Sequence, residues 1–402
     1  MISVPDAAAS ARYCRRMNRS VMRGIGAVAW ALVSCGGGGT PPPPLTGALS
    51  VSVSSTHACA LVTGGSVRCW GEDVWGQLGD GQMTYAEATP VAVPGLSGLA
   101  AVVAGFGYSC GLEGDGAVAC WGNDIWNEIG DEAADGGASP DAGRHLSVLG
   151  PTGVGGLGPI VDGLVTAGAD RAGGAYTCAH MSDETVQCWG ENDLGLGGPV
   201  ALSTPPTPLP GVVHVRAMAF GSTFGCFALD DGTASCLGLG PLGQEKISAS
   251  MTPVAVPNLS GVSGIAAGEF HACALIDDGT VRCWGNWQVG MTTQTPVTVD
   301  GLTGVTALAA RGFETCALLG DGGVTCWGLG VPTAPKRVSG LGPATAISVG
   351  GGFACAVIRG GTIQCWGEDT GGHLGNGVKS DLSGTANVVP PATVVAAVDS
   401  GA

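Results

Sequence analysis

The sequence has few charged residues, and few of these are basic. Only 12% of its 402 residues are Asp, Glu, Lys or Arg, about half the share typical of globular proteins, and 32 acidic residues outnumber 16 basic ones. A protein that binds a phosphate backbone needs a basic face, so the net charge of −16 argues against a nucleic-acid partner. We expect a soluble protein with an anionic surface.

The sequence also lacks long helical patterns and common catalytic motifs. Valines and tryptophans recur in short runs bounded by Gly, Asp and Pro, as they do in strands. The 73 glycines and 45% apolar residues are compatible with a substantial β-sheet core. There is no phosphate-binding loop, His-Glu-x-x-His, Gly-x-Ser-x-Gly or dinucleotide fingerprint. We therefore predict an all-β protein that is not an enzyme and uses no cofactor.

The amino terminus is typical of an export signal. Arginines precede an apolar run from Gly24 to Ser34, which is too short to span a bilayer as a helix. Leu32-Val33-Ser34-Cys35 is similar to a bacterial lipobox, whose cysteine is lipidated; ordinary cleavage that leaves Cys35 free is the alternative. Gly36 stands where an inner-membrane retention signal would place aspartate. We predict a signal peptide over residues 1–35, a Gly/Pro-rich linker over 36–47, and a lipid anchor in the outer membrane, facing the periplasm or the cell surface.

Fourteen of the sixteen cysteines form seven pairs, each separated by ten positions. These pairs are Cys59 with Cys69, Cys110 with Cys120, Cys178 with Cys188, Cys226 with Cys236, Cys273 with Cys283, Cys316 with Cys326 and Cys355 with Cys365. Six of the second cysteines begin Cys-Trp-Gly, and the exception reads Cys236-Leu237-Gly238. Zinc sites use closely spaced Cys-x2-Cys ligands or histidine partners, so zinc is the weaker alternative. The spacing predicts seven copies of one hairpin with a disulfide across each.

The turn of this hairpin is clearest between Cys273 and Cys283. Asp277-Asp278-Gly279 fits a three-residue loop with glycine in the left-handed conformation. Pairing about this centre sets the two cysteines opposite each other on antiparallel strands. Glu184 replaces the glycine in the third copy, so we expect a distorted turn there. The other copies keep it, as Gly65, Gly116, Gly232, Gly322 and Gly361. Disulfides persist in oxidising compartments, which agrees with export.

A longer unit surrounds each hairpin. It contains a Pro-Val strand such as Thr89-Pro90-Val91, a strand that ends in Gly, and then the hairpin, which makes four strands per repeat. His57-Ala58-Cys59-Ala60-Leu61, the Cys-Trp-Gly segments and Trp75-Gly76-Gln77-Leu78-Gly79 resemble the motifs of the RCC1-repeat family. The resemblance implies a seven-bladed β-propeller of RCC1 type over residues 48–399, with four-stranded blades. The cysteine pairs depart from the familiar nuclear members of the family, and their spacing adds one disulfide per blade.

Closure of the ring poses a separate question. The first repeat has no Pro-Val strand before it, while extra strand-like segments follow the seventh hairpin. We expect residues 386–390 to complete the first blade. Residues 393–398 then compete with residues 49–53 or lie outside the ring.

The longest insertion, from Asn127 to Pro159, is the best candidate for a partner-binding loop. Its acidic residues lack the glycine and terminal glutamate of an EF-hand, so a solvated acidic loop is favoured over a Ca²⁺ site. The candidate binding residues are Trp126, Asp131, Glu132, Asp135 and Asp141.

Three functions are compatible with these features. The first is a monomeric binding or scaffold module for an envelope or extracellular protein or glycan. The second, implied by the resemblance, is inhibition of an envelope enzyme such as a β-lactamase, with Trp75, Trp126 and Trp287 as anchors unless they pack between blades. The third is nucleotide exchange on a Ran-type GTPase, an activity of the family whose partner an exported acidic protein would not meet.

Overall fold

The computed structural model describes residues 45–125, 127–130, 147–158, 160–167, 175–192, 201–288, 291–328, 334–378 and 393–394. The chain divides into two units, Met1–Pro41 and Pro42–Ala402, and every described strand belongs to the second. In that unit 28 strands form seven four-stranded antiparallel sheets, which confirms the seven-bladed propeller. The described residues include no helix long and apolar enough to cross a membrane. Cys35 and the predicted signal peptide lie outside the described residues.

The strands follow the chain from blade to blade. Blade 1 contains β1 (Ala48–Val53), β2 (His57–Val62), β3 (Ser66–Glu72) and β4 (Ala86–Ala92); blade 2 contains β5 (Leu99–Ala104), β6 (Tyr108–Glu113), β7 (Val118–Asn123) and β8 (Ser147–Gly153). Blade 3 contains β9 (Ile160–Ala167), β10 (Tyr176–Met181), β11 (Thr185–Asn192) and β12 (Ala201–Val213); blade 4 contains β13 (Val215–Phe220), β14 (Phe224–Leu229), β15 (Ala234–Gln244) and β16 (Ile247–Ala255). Blade 5 contains β17 (Val262–Ala267), β18 (His271–Ile276), β19 (Val281–Gln288) and β20 (Met291–Thr298); blade 6 contains β21 (Val305–Arg311), β22 (Glu314–Leu319), β23 (Val324–Gly328) and β24 (Lys336–Arg337). Blade 7 contains β25 (Ala344–Val349), β26 (Phe353–Ile358), β27 (Thr362–Gly367) and β28 (Thr393–Val394).

Each Pro-Val strand is the fourth strand of its own blade and does not begin the next one. In blade 1, Val91 pairs with Cys69 across β3 and β4. Proline has no N–H to donate, so it suits the outer edge of a sheet. Blade 1 is thus complete with β4, and the expectation that residues 386–390 complete it is wrong; those residues lie outside the described part. Thr393 pairs with Cys365, so β28 completes blade 7. The expectation that this segment competes with residues 49–53 or lies outside the ring is therefore wrong for the described residues 393–394.

The cysteine pairs form one disulfide per blade, as predicted. The two cysteines of each pair lie directly opposite on the second and third strands, with Cα atoms 4.0 to 4.1 Å apart. The sulfurs of each pair are bonded to each other, which removes them as zinc ligands. The bonds join Cys59 to Cys69, Cys110 to Cys120, Cys178 to Cys188, Cys226 to Cys236, Cys273 to Cys283, Cys316 to Cys326 and Cys355 to Cys365.

Most of these cysteines are fully buried in the hydrophobic clusters of the blades. Cys120 of blade 2 is 0% exposed and belongs to the same cluster as its partner Cys110. Cys188 of blade 3 differs, because it is partly buried and packs against the cluster that contains its partner Cys178. The disulfides therefore contribute apolar contacts to the cores as well as covalent bonds.

The hairpin turns have the predicted conformation, including the copy without glycine. Gly279 has φ 77°, and its N–H donates to the carbonyl of Ile276 at 2.8 Å. Glu184 has φ 66° and donates to Met181 at 3.0 Å, so the expected distortion is wrong. Its carboxylate lies 2.7 Å from Nδ1 of His214, at the start of the next blade. This contact joins two non-glycine residues with positive φ.

Six tryptophans of the Cys-Trp-Gly segments pack into the hydrophobic core of the preceding blade. Trp121 illustrates the arrangement: it lies in a cluster with Cys59 and Leu78, and its indole N–H donates to the carbonyl of Gln77 at 2.9 Å. Asp73 holds this loop by accepting the N–H of Leu78 at 3.1 Å. In blade 4, Leu237 occupies the tryptophan position and packs in the cluster of blade 3. The other tryptophans are Trp70, Trp189, Trp284, Trp327 and Trp366.

Candidate functional site: the central cavity and the loop face

The two ends of the propeller carry different connections. We call the loop face the end that carries the turns between first and second strands and the connections between third and fourth strands. The hairpin face is the opposite end, with the turns of the cysteine hairpins. The long connections from β3 to β4 and from β7 to β8 both belong to the loop face.

A cavity of about 270 Å³ lies at the centre of the ring, toward the loop face. The second halves of the seven first strands line it, mostly with Gly, Ala and Val. Among its lining residues, Arg311 is the one basic residue and Glu269 the one acidic residue. The hydroxyl groups of the lining belong to Ser52, Thr166, Ser222 and Ser348.

Three of these hydroxyls join neighbouring blades along the wall of the cavity. The N–H of Ala104 donates to Oγ of Ser52 at 2.9 Å, and Oγ1 of Thr166 donates to the carbonyl of Ala104 at 2.7 Å. The N–H of Val53 donates to Oγ of Ser348 at 2.9 Å, across the junction of blades 1 and 7. These bonds satisfy backbone groups at the inner edges of the sheets, which have no further strand to pair with.

Blade 6 departs from the other blades at two positions that flank the turn between its first two strands. Glu314 stands where the other blades have His, Tyr or Phe, and Arg311 stands where the described blades have glycine or, in blade 1, serine. A Cβ atom built on Gly268 would lie 2.2 Å from the ring of His271, and one on Gly105 would lie 2.3 Å from the ring of Tyr108. Serine fits beside a ring in blade 1, where Oγ of Ser54 lies 3.0 Å from Nδ1 of His57, so the crowding excludes a ring only beside a larger side chain such as that of Arg311. The two departures of blade 6 are sterically coupled.

Burial shifts the titration of three groups near the cavity. It raises the pKa of the Glu314 carboxyl to about 7 and lowers the pKa of His271 to about 4. Burial, with the positive charge of Arg311 as the second cause, lowers the pKa of His57 to about 3. Both histidines are therefore neutral at pH 7, and neither adds positive charge to the centre of the ring.

These ring residues also make specific contacts with the next blade. Nε2 of His57 lies 2.7 Å from Oγ of Ser109, and Nε2 of His271 lies 2.6 Å from Oγ1 of Thr315. Where the ring residue is phenylalanine, the next blade supplies alanine in the same core cluster. These apolar pairs are Phe224 with Ala272 and Phe353 with Ala58. Each of these four pairs is therefore either polar on both sides or apolar on both sides, a relationship that sequence reasoning missed.

The rim of the cavity on the loop face carries an aromatic pair. Phe270 is 43% exposed, and its ring centroid lies 5.6 Å from that of Phe313. The N–H of Glu269 donates to the carbonyl of Gly312 at 2.6 Å, which ties the two turns together. Further exposed apolar side chains belong to loop-face connections: Val74, Met83, Tyr85, Ile125 and Val378.

The five candidate binding residues, Trp126, Asp131, Glu132, Asp135 and Asp141, lie outside the described residues. Part of the predicted insertion is not a loop, because Ser147–Gly153 form β8, the fourth strand of blade 2. Trp75 is half-buried, and a Cβ atom on Gly107 of blade 2 would lie 3.1 Å from its ring, so Trp75 packs between blades. The side chain of Trp287 is also outside the described part. One possible metal-binding group occurs among the described residues, Glu314 with Cys316 and Cys326, and its sulfurs form a disulfide.

The fold and its inter-blade contacts define a seven-bladed β-propeller with disulfide-bonded blades. A family model described as the regulator of chromosome condensation (RCC1) repeat matches residues 49–77 and 262–287. The chain belongs to the RCC1-repeat family.

Similar proteins agree with this assignment. Human E3 ubiquitin-protein ligase HERC2 is 29% identical over 147 residues, which is 36% of this chain and 3% of HERC2. Human HERC3, a probable E3 ubiquitin-protein ligase, is 38% identical over 84 residues, which is 20% of this chain and 8% of HERC3. The chain thus spans only a small part of these curated relatives.

Two solved structures share the fold. Human WBSCR16 has a TM-score of 0.65 and is 18% identical. The superposition covers 78% of this chain and 91% of the WBSCR16 chain. Prp20p from Saccharomyces cerevisiae has a TM-score of 0.63 and is 18% identical, and its structure was described with its binding to Gsp1p and histones. The superposition covers 86% of this chain and 87% of the Prp20p chain. At these identities the likeness concerns the fold.

Proposed function

We propose that this protein is an exported lipoprotein of the cell envelope whose propeller binds a partner protein or glycan through its loop face, without catalysis. The RCC1-like fold is consistent with a protein-binding scaffold, and its structural relative Prp20p binds Gsp1p and histones. The observation that carries the binding proposal is the presence of exposed apolar side chains on the end that also holds the long connections and the cavity. Tyr85, for example, is 73% exposed.

Export is supported by the disulfides and by the amino terminus. Seven disulfides, one in each blade, call for an oxidising compartment, because the thiols of cytosolic proteins are kept reduced. The arginine-rich signal and the lipobox at Cys35 agree with this location. An exported protein would not meet a Ran-type GTPase, so nucleotide exchange is not part of the proposal.

Inhibition of an envelope enzyme such as a β-lactamase is the second candidate. It is supported by the exposed aromatic residues on the loop face, Tyr85 and Phe270, because aromatic side chains are frequent anchors in tight interfaces. This candidate predicts that the purified protein lowers the activity of an enzyme from the same envelope. The scaffold proposal predicts binding without that loss.

The two faces offer matched variants to test the binding proposal. The mature protein would be used to capture partners from an outer-membrane fraction, beside Tyr85→Ser on the loop face and Leu49→Ser. Leu49 is 56% exposed near the start of β1, at the hairpin face. We expect Tyr85→Ser to reduce capture of the specific partner and Leu49→Ser to leave it unchanged. Equal capture by both variants would contradict binding through the loop face.

A further inference from the structure

We propose that the central cavity binds a carboxylate group through Arg311, with the apolar body of the ligand against Phe270 and Phe313. The inference rests on the proposed loop-face binding and gives it a chemical class. Arg311 lines the cavity, while the two phenylalanines belong to the turns at its rim. The ligand is therefore a small acid with an apolar part, or the same chemistry at the end of a partner chain.

The first argument is the way in which blade 6 departs from the ring. A half-buried guanidinium stands at a position that is glycine in the four described blades 2, 4, 5 and 7. A partly buried charge is stable only with polar partners, and a carboxylate of a ligand is a suitable one. In blade 6 Glu314 replaces the ring that a long side chain at this position would crowd. A fixed positive charge at the centre of a protein with net charge −16 creates a local attraction for anions.

The second argument concerns the charge of the ligand. The buried imidazoles of His57 and His271 are neutral, and the lining offers the single positive charge of Arg311. Glu269 lies in the same lining and repels any anion, but it repels a doubly charged one about twice as strongly as a singly charged one. A carboxylate carries one charge and accepts two parallel hydrogen bonds from a guanidinium. The cavity therefore favours a carboxylate over a phosphate or sulfate ester.

The third argument concerns the size of the ligand. A cavity of about 270 Å³ is at the small end of ligand pockets, which run from about 300 to 1,000 Å³. This space accepts a carboxylate with a few further atoms and excludes a folded segment of a protein. The Phe270 and Phe313 rings, 5.6 Å apart, extend the site with an apolar surface on the loop face. An acid with an aromatic or aliphatic body fits both parts.

The test uses phenylacetate as the probe and phenylacetamide as its uncharged counterpart, with binding measured by titration calorimetry. Wild-type protein should bind phenylacetate and should bind both phenylacetamide and phenyl phosphate at least about tenfold more weakly. Arg311→Gln should weaken phenylacetate binding by a similar factor. Arg216→Gln is the matched control, since it removes the same charge from an exposed position on β13. It should leave binding unchanged.

Equal binding of acid and amide by the wild-type protein would overturn the proposal, and so would equal binding by wild type and Arg311→Gln. The comparison of acid with amide needs no variant, so it decides the matter even if Arg311→Gln fails to fold. Absence of phenylacetate binding at millimolar concentration also overturns it. Partner capture by the loop face is measured separately. If capture persists while phenylacetate binding fails these tests, the cavity proposal alone is wrong.

The source of the carboxylate is distinguished by two peptides. Acetyl-Gly-Phe with a free carboxyl terminus represents a chain end, and the same peptide with an amidated terminus is its control. Stronger binding of the free peptide than of phenylacetate would assign the site to a partner's carboxyl terminus. Stronger binding of phenylacetate would assign it to a small acid.

Discussion

The backbone N–H of Ala48 donates to the carbonyl oxygen of Gly361 at 2.9 Å, and this bond joins the first strand of blade 1 to the hairpin turn of blade 7. The same bond joins other neighbouring blades, so the ring closes through an ordinary blade junction without an exchanged strand. The equivalent bonds are Leu99 to Gly65, Val262 to Gly232, Val305 to Gly279 and Ala344 to Gly322.

Replacing a turn glycine should weaken this junction. Gly279 has φ 77°, and a Cβ atom there would lie 3.0 Å from Cα of Gly304. Gly279→Ala should lower the free energy of unfolding by about 1–2 kcal/mol for the left-handed backbone, with a further loss for the close approach. Gly301→Ala is the control, since Gly301 has φ 78° with no neighbour within 4 Å. Equal losses in urea unfolding would contradict a role for the close approach.

Exchange of a polar inter-blade pair for an apolar one should be tolerated only when both partners change. His271→Phe leaves the buried Oγ1 of Thr315 without its 2.6 Å contact and should cost about 1–3 kcal/mol. His271→Phe with Thr315→Ala reproduces the pair of Phe224 and Ala272 and should recover most of that loss. A double-mutant cycle from urea unfolding measures the coupling, and strictly additive losses would refute it.

The same double variant should change the dependence of stability on pH. His271 has a pKa of about 4 in the folded protein against 6.5 ordinarily, so in this range the unfolded chain binds a proton that the folded chain does not. The contribution of His271 to the free energy of unfolding is fully present above pH 6.5. It falls by about 3 kcal/mol as the pH drops to about 4. The variant should lose this part of the slope. An unchanged slope between pH 4 and 6.5 would show that His271 does not contribute it.

Part of this fold was predictable from the sequence because it is local. Ten-residue cysteine spacing and a turn glycine define each hairpin within one short segment, and both were confirmed. The assignment of the Pro-Val strand was wrong because residues 89–91 lie between two hairpins, and sequence alone does not say which one they pair with. Proline's missing N–H was the available signal, since it places the strand at an outer edge.

The cavity was harder to predict because its residues come from all seven blades. Contacts such as His57 with Ser109 join positions far apart in the chain, so no local pattern reveals them. A signal for Arg311 and Glu314 was nevertheless present. When the seven hairpins are aligned on their first cysteines, Arg311 stands where the other copies have glycine or serine. Glu314 stands three positions later, where the other copies have His, Tyr or Phe.

Lipidation should be tested at Cys35. Cys35→Ser should release the protein from the membrane fraction and leave thermal unfolding of the propeller unchanged, because the residue precedes the first strand, Ala48–Val53. Cell fractionation with mass spectrometry of the amino-terminal peptide measures both location and lipid. A wild-type protein that is soluble without detergent would argue for ordinary cleavage instead.

Deletion of residues 131–141 should separate binding from stability. A modest change in the length of a loop rich in Gly, Ala and Asp alters its closure entropy by less than about 1 kcal/mol, so the thermal transition should stay nearly unchanged. Partner binding should fall. If millimolar Ca²⁺ sharply stabilises the wild type, or if the deletion unfolds the domain, the loop is a structural metal site.

Each of the seven disulfides joins two cysteines of the same blade, and none of them crosses a blade junction. In every pair the partner is the nearest cysteine in the sequence. Short loops close more readily than long ones, so the native partner would be the first one available to a chain that is exported as proposed. We therefore expect the chain to be oxidised in linear order during translocation, blade by blade, with no demand for a disulfide isomerase.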